Sequence, residues 1–370
     1  MRSLVCFDGE IFWRQRYGGI SRYFCSLAAA LALRGTPPTI VAPLHRSRML
    51  PTLRGVTVRG VSFSGPENLA ERALTAANAP WVHAVWEAWL RPDVVHHTYY
   101  FAVPAQATRH VRRVVTIHDM IPELLPHLVL GAEHTVAAKR RAVANADHVI
   151  CVSERTRSDL LNVHDIDPAR VSVVYHGADD LPELGDEALH RSAGPPFVLY
   201  VGNRGGYKNF TTLVESLAAC PALARDVMII AFGGGPFTPE ERSQFDRLKL
   251  GQRVEHCDGD DHTLVGLLHA AQAMVYPSLY EGFGLPPLEA MANGCPVISS
   301  NAASMPEVLG AAALFFDPTS VDELALRLEQ VMSDPALRQD LVARGRERSR
   351  RFSWATSAEQ TAAIYASLTG

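Results

Sequence analysis

YPSLYEGFGLPPLEAMANGCPVIS, residues 276–299, decides how this chain is read. It leaves a short apolar strand (273–276), crosses a glycine- and proline-bearing loop, forms a short helix centred on Leu288 to Ala292 and enters another strand at Pro296 to Ser299. Glu281 and Glu289 bracket it, eight residues apart. Ligands of open α/β sheets lie beyond the carboxyl ends of the strands, so an acidic, polar loop between buried strands marks a candidate site.

Working outward, the whole chain has 370 residues, beyond the size at which one hydrophobic core keeps growing, and two domains are expected. An apolar fraction of 47% excludes a wholly disordered chain. The net charge of -4, from 35 basic and 39 acidic residues, implies no nucleic-acid-binding surface. The densest basic runs are Arg109, Arg112, Arg113 and Lys139 to Arg141. Six cysteines show no CxxC pair, which reads as buried thiols in a reducing compartment. With no basic-then-apolar leader and no run of 18 apolar residues, the expectation is a cytoplasmic protein.

In the first half, strand Ser3 to Phe7 is followed by a loop, Asp8 to Gly19, and an amphipathic helix closing at Arg34-Gly35. Gly18 and Gly19 precede that helix, where bare backbone amides can approach a phosphate or carboxylate. Arg22, in the first turn, calls for an anionic partner against the helix dipole. Apolar runs then alternate with helical patterns, the mark of a mostly parallel α/β sheet. Trp81, Trp86 and Trp89 between Pro80 and Leu90 read as a helix packing an apolar face into a core, with an acceptor-binding wall as the alternative. One strand ends at His96-His97 and another at His118-Asp119. His118 is the stronger site candidate, with Asp119 placed to orient it. Adjacent histidines on extended chain point opposite ways, so no metal is assigned to His96, His97 and His118.

After a linker expected at 181–196, strand Phe197 to Val201 runs into GNRGGYKN. Gly202, Asn203, Arg204 and Lys208 there make a cationic glycine loop before a helix, suited to a diphosphate. Gly234, within Gly233 to Gly235 after the next strand, leaves room for a base or sugar. Asp258, Asp260 and Asp261 read as a solvated turn and helix cap.

EGFGLPPLEAMANGCPVISS, VGNRGGYKN, TIHD, VVYHGAD and the terminal FSW together resemble the retaining glycosyltransferases of family 4. The resemblance is weaker over Arg46 to Leu90. It implies an α/β GT-B fold of two Rossmann-like domains facing a deep cleft. Residues 1–180 would bind the acceptor and 197–351 a nucleotide-sugar, and 352–370 would be a helix packing back toward the first domain.

By the same resemblance, Glu289 accepts from the ribose hydroxyls, Glu281 faces the donor sugar, and the amides of Phe283, Gly284 and Leu285 bind donor oxygens. Lys208 matches the diphosphate-binding lysine, His118 the histidine at the donor sugar, and Gly18-Gly19 the loop approaching the diphosphate. Asn203 and Tyr207 stand where many members carry arginine, which leaves Arg204 as the replacement cation. The implied reaction retains anomeric configuration and needs no cofactor. GDP-mannose is the favoured donor and a UDP-sugar the alternative. The acceptor is a saccharide or lipid-linked saccharide, the latter with peripheral membrane contact. An epimerase-like enzyme and a silent nucleotide-sugar-binding protein are the competing readings.

Overall fold

The computed structural model describes residues 4–63, 71–85, 89–100, 111–178 and 194–370. They form two compact units, Met1–Gly177 with Ser353–Gly370, and Ala178–Phe352. Most of the expected linker, 181–193, lies outside the described residues.

The first unit is built on seven parallel strands: β1 Val5–Asp8, β2 Thr39–His45, β3 Thr57–Ser62, β4 Val94–His97, β5 Arg112–Ile117, β6 His148–Cys151 and β7 Val171–Val173. Their order is β3-β2-β1-β4-β5-β6-β7. Strands buried on both faces need continuous apolar runs, and β1, β4 and β5 supply them. Helix Gly19–Leu33 buries Tyr23, Phe24, Leu27 and Leu31 on one stripe, and Gly35 (φ 77°) takes the left-handed position just beyond its end. Helix Trp354–Thr369, opened by a Ser353 cap, sets Ala358 and Tyr365 into the same core.

The second unit has six parallel strands: β8 Phe197–Val201, β9 Met228–Phe232, β10 Val254–Cys257, β11 Ala273–Tyr276, β12 Val297–Ser300 and β13 Ala313–Phe316. Their order, β10-β9-β8-β11-β12-β13, is that of a doubly wound sheet. Asp260 caps helix Asp261–Ala270 by accepting from the Thr263 amide at 3.0 Å.

Three expectations change. A five-residue helix, Glu10–Arg14, occupies the segment read as loop, and it buries Ile11, Phe12 and Trp13. Trp81 and Trp89 are not core: they are 66% and 84% exposed, and Trp86 lies outside the described residues. Helix Glu71–Val85 instead uses Leu74 and Val82 as its apolar contacts. The basic runs are also interrupted, because Arg113 is buried and Lys139, fully buried, donates to Glu123 and to the Asp119 carbonyl, both at 2.8 Å. Among the described residues no helix is long and apolar enough to cross a membrane.

Candidate active site

In the second unit the strand order reverses between β8 and β11, so the loops leaving them diverge and open a crevice. Gly202 (φ 119°) and Gly206 (φ 58°) let the first loop turn tightly. Asn209 then ties it down, its Nδ2 donating to the carbonyls of Pro277 at 3.0 Å and Pro318 at 2.8 Å. The Leu279 amide donates to the Tyr207 carbonyl at 2.8 Å, which joins the two loops directly. Across this junction Lys208 Nζ lies 2.8 Å from Glu281 Oε1, with the rings of Tyr207 and Tyr276 at 5.3 and 5.4 Å. Burial opposes the lysine charge, but the Glu281 carboxylate outweighs it and holds the ammonium above its ordinary range. A firmly protonated cation therefore stands at the switch point.

The acid loop is held from beneath. Ser304 Oγ donates to the carbonyls of Glu281 at 2.9 Å and Phe283 at 3.2 Å, and Ser300 Oγ to that of Ser278 at 2.7 Å. Gly284 (φ 97°) starts helix Leu285–Ala292, and a Cβ there would sit 2.5 Å from Met305 Cε. Pro286 and Pro287 carry no N–H, so neither adds a donor to the first turn of this helix. One turn on, Glu289 is buried at 5% exposure.

Arg204 does not share the Lys208 environment. Its guanidinium pairs with Glu241 at 2.7 Å and donates to the Gly233 carbonyl at 3.0 Å, leaving 5% of the side chain exposed. A buried fork already matched by a carboxylate is not the open cation expected from the sequence. Gly234 packs against this pair, near the Gly202 carbonyl.

In the first unit, His118 leaves β5 with its ring edge-on to Tyr23 at 5.2 Å and Phe24 at 5.8 Å. His176 lies at 6.4 Å and itself stacks on Trp354. Burial, with a smaller push from Lys139, takes the His118 imidazole down to about 3, so it is neutral at physiological pH. The expected orientation by Asp119 is absent: that carboxylate accepts from the Ile121 amide at 3.1 Å, and His118 Nε2 has no hydrogen-bond partner among the described residues. Gly18 is extended beside Gln15, and Gly19 opens its helix facing empty space, with nothing within 4 Å of where a Cβ would stand. Arg22 reaches the Tyr17 hydroxyl at 3.3 Å.

Two models of known families match this chain, "Glycosyl transferases group 1" over residues 186–348 and "Glycosyltransferase Family 4" over 17–180. O-antigen chain mannosyltransferase B of Escherichia coli is 30% identical over 306 residues, 77% of this chain and 78% of its own. The chain belongs to glycosyltransferase family 4. Another relative of this glycosyltransferase, alpha-maltose-1-phosphate synthase of Mycolicibacterium smegmatis, is 32% identical over 349 residues, 85% of either chain. Such kinship makes the protein a hexosyl-transferring enzyme. Its fold is GT-B: sucrose-phosphate synthase of Thermosynechococcus elongatus superposes with a TM-score of 0.79 at 22% identity over 99% of both chains. Anabaena HepE, solved with UDP-glucose, gives 0.75 at 18% over 99% of this chain and 100% of its own.

Of the glycosyltransferase residues singled out from sequence, the structure brings Lys208 and Glu281 together and sets Phe283, Gly284 and Leu285 beside them, while Arg204 and Gly234 form a separate cluster. Sequence reasoning missed Asp8. Fully buried at the end of β1, it accepts from His97 Nδ1 at 2.7 Å, from the Thr98 amide at 2.9 Å and from the Glu10 amide at 3.2 Å. Burial works against its charge, and the His97 and Thr98 hydrogen bonds overcome it and keep the carboxyl below its ordinary range. The only clue in the sequence was an acid closing an apolar strand.

Proposed function

We propose that this glycosyltransferase moves mannose from GDP-mannose to a hydroxyl of a saccharide or lipid-linked saccharide, with retention at the anomeric carbon. The observation that carries this reading is Lys208, held charged by Glu281 where the second sheet reverses its strand order. Breaking the bond between the anomeric carbon and the phosphate oxygen leaves negative charge on GDP. Lys208 meets that charge, together with the amides of Phe283, Gly284 and Leu285 at a helix N-terminus. Glu281 accepts from donor-sugar hydroxyls and Glu289 from the ribose, while Gly202, Asn203 and Gly234 line the nucleotide. In the first unit, neutral His118 hydrogen-bonds a donor-sugar hydroxyl, and the Gly18-Gly19 amides approach the diphosphate. The acceptor hydroxyl attacks on the face the phosphate leaves, and its proton passes to the departing phosphate oxygen.

In this reading the first unit takes the acceptor and the second the donor, with no divalent ion assigned. A lipid-linked acceptor would place the cytoplasmic enzyme peripherally at the inner face of the membrane, serving surface polysaccharide or glycolipid synthesis. Mannose is favoured by the mannosyltransferase relative, and a UDP-glucose reading by the HepE structure solved with UDP-glucose. Calorimetric titration with GDP-mannose, GDP, UDP-glucose and UDP tests this, followed by intact-mass analysis of glycan acceptors. Binding of GDP-mannose at least about tenfold tighter than UDP-glucose is expected. The reverse order selects the second reading, and no binding of any of the four overturns both.

A further inference from the structure

Arg204 stands four residues before Lys208, where a second phosphate-binding cation is the natural expectation. Its neighbours use the guanidinium on every side. Nε and Nη2 meet the two oxygens of Glu241 at 2.7 and 3.3 Å, Nη1 donates to the Gly233 carbonyl at 3.0 Å, and Nη2 to the Pro236 carbonyl at 3.1 Å. Its flat face lies 4.7 Å from the centre of the Phe237 ring.

Those two carbonyls belong to the first residue of a left-handed run and to the residue that follows it. Gly233, Gly234 and Gly235 all have left-handed backbone, with φ of 78°, 74° and 74°. Glycine loses the most backbone freedom on ordering, so three in succession hold one shape only when anchored at both ends. Arg204 is that anchor. The middle glycine must lack a side chain for the approach, since a Cβ on Gly234 would lie 2.9 Å from Arg204 Nη1 and 2.7 Å from the Gly202 carbonyl.

Glu241 is fixed in its turn. It is the third residue of helix Pro239–Arg247, and its Oε2 accepts from the Thr238 amide at 2.8 Å while Thr238 Oγ1 accepts from the Glu241 amide at 3.2 Å. One carboxylate thus joins the helix start, the glycine run and the β8 loop. The run leaves the carboxyl end of β9, adjacent to β8, on the ligand edge of the sheet.

We propose that Arg204 and Glu241 form a latch that shapes the loop 233–238 and thereby sets affinity for the nucleoside end of the donor. Arg204 is then a positioning residue and not a diphosphate ligand. This rests on reading the second unit as the nucleotide-sugar domain. The nucleoside meets a loop that is already ordered, so its binding does not have to order three glycines.

Arg204→Lys, which keeps the charge and loses the fork, and Glu241→Gln, which keeps the shape and loses the charge, are compared with the native enzyme in two measurements. The first is amide hydrogen exchange of 233–238 in the ligand-free protein, with the amides of β11 and β12 as the internal control for folding. Exchange in the loop is expected to be at least about tenfold faster in both variants with the control unchanged. Unchanged loop exchange overturns the latch. The second is calorimetry with guanosine, GMP and GDP, and in parallel uridine, UMP and UDP. In the series that binds, Kd should rise about tenfold by a common factor for nucleoside, monophosphate and diphosphate, in both variants. A loss that grows with each phosphate, or is confined to Arg204→Lys, makes Arg204 a phosphate ligand and overturns the proposal. If the native enzyme binds neither series, the donor reading fails, and slowed or unchanged loop exchange still rejects the latch on its own.

Discussion

At the place where strand order reverses, each unit sets one carboxylate against one nitrogen base, and the two pairs have opposite characters. Asp8 and His97 join the ends of β1 and β4 at 2.7 Å with 0% and 2% of their side chains exposed. Lys208 and Glu281 join the loops after β8 and β11 at 2.8 Å with 17% and 11% exposed. In the first pair, Thr98 and the Glu10 amide take up the remaining capacity of Asp8, and helix Glu10–Arg14 follows directly, burying Ile11, Phe12 and Trp13. The second pair is bordered by glycine loops and stands just before the start of helix Leu285–Ala292. One topology therefore carries a fully buried pair in one unit and a partly exposed charged pair in the other, and the side chains of the first loop decide which.

The sharpest break of this comparison is Lys208→Met. Steady-state kinetics should show kcat/KM lower by about a thousandfold, the scale of losing one principal charge-stabilising donor. The unfolding midpoint of the first unit should not move. Asp8→Asn is the mirror image. Leaving His97 without its carboxylate partner should cost the first unit roughly 3 kcal/mol, seen as an earlier calorimetric transition for that unit alone. Should Asp8→Asn instead remove activity at unchanged stability, the first switch point is a working site and the contrast collapses.

Acidification sharpens the comparison further. His96 and His118 are each pushed from an ordinary 6.5 to about 3 by burial, with smaller contributions from His97 on His96 and Lys139 on His118. The unfolded chain therefore binds more protons than the folded one between those values. The stability these neutral rings preserve is fully present above about 6.5 and drains as pH falls toward 3, by about 1.4 kcal/mol per pH unit for each ring. In a pH series of thermal scans the first unit should weaken earliest. The smallest effect belongs to Trp89→Ala, which should change stability by less than about 0.5 kcal/mol, because the ring is 84% exposed.

The fold class was legible because parallel strands buried on both faces write themselves as apolar runs, and because Gly202 to Asn209 and Tyr276 to Ser299 place glycine and charge at strand ends. What escaped depended on distance or brevity. Helix Glu10–Arg14 is too short to show a period, and Asp8 finds its partners some ninety positions later, as does Arg204 thirty-seven positions on at Glu241. Trp81 and Trp89 misled for a related reason: hydrophobicity states a preference for burial, and a helix that already packs Leu74 and Val82 can leave Trp81 in solvent.

The helix Trp354–Thr369 completes the first unit from the far end of the chain, through Tyr365 at 2.6 Å from His96, the Ser357 hydroxyl on the Tyr175 carbonyl, and Arg112 on the Leu368 carbonyl at 3.1 Å. Seen from the ribosome, the order of birth is inverted. The first unit begins to emerge first yet waits for its last helix, while 178–352 is one unbroken segment that can close its own core beforehand. Released chains ending just short of residue 353 should therefore carry a protease-resistant second unit attached to a first unit that is still open to cleavage.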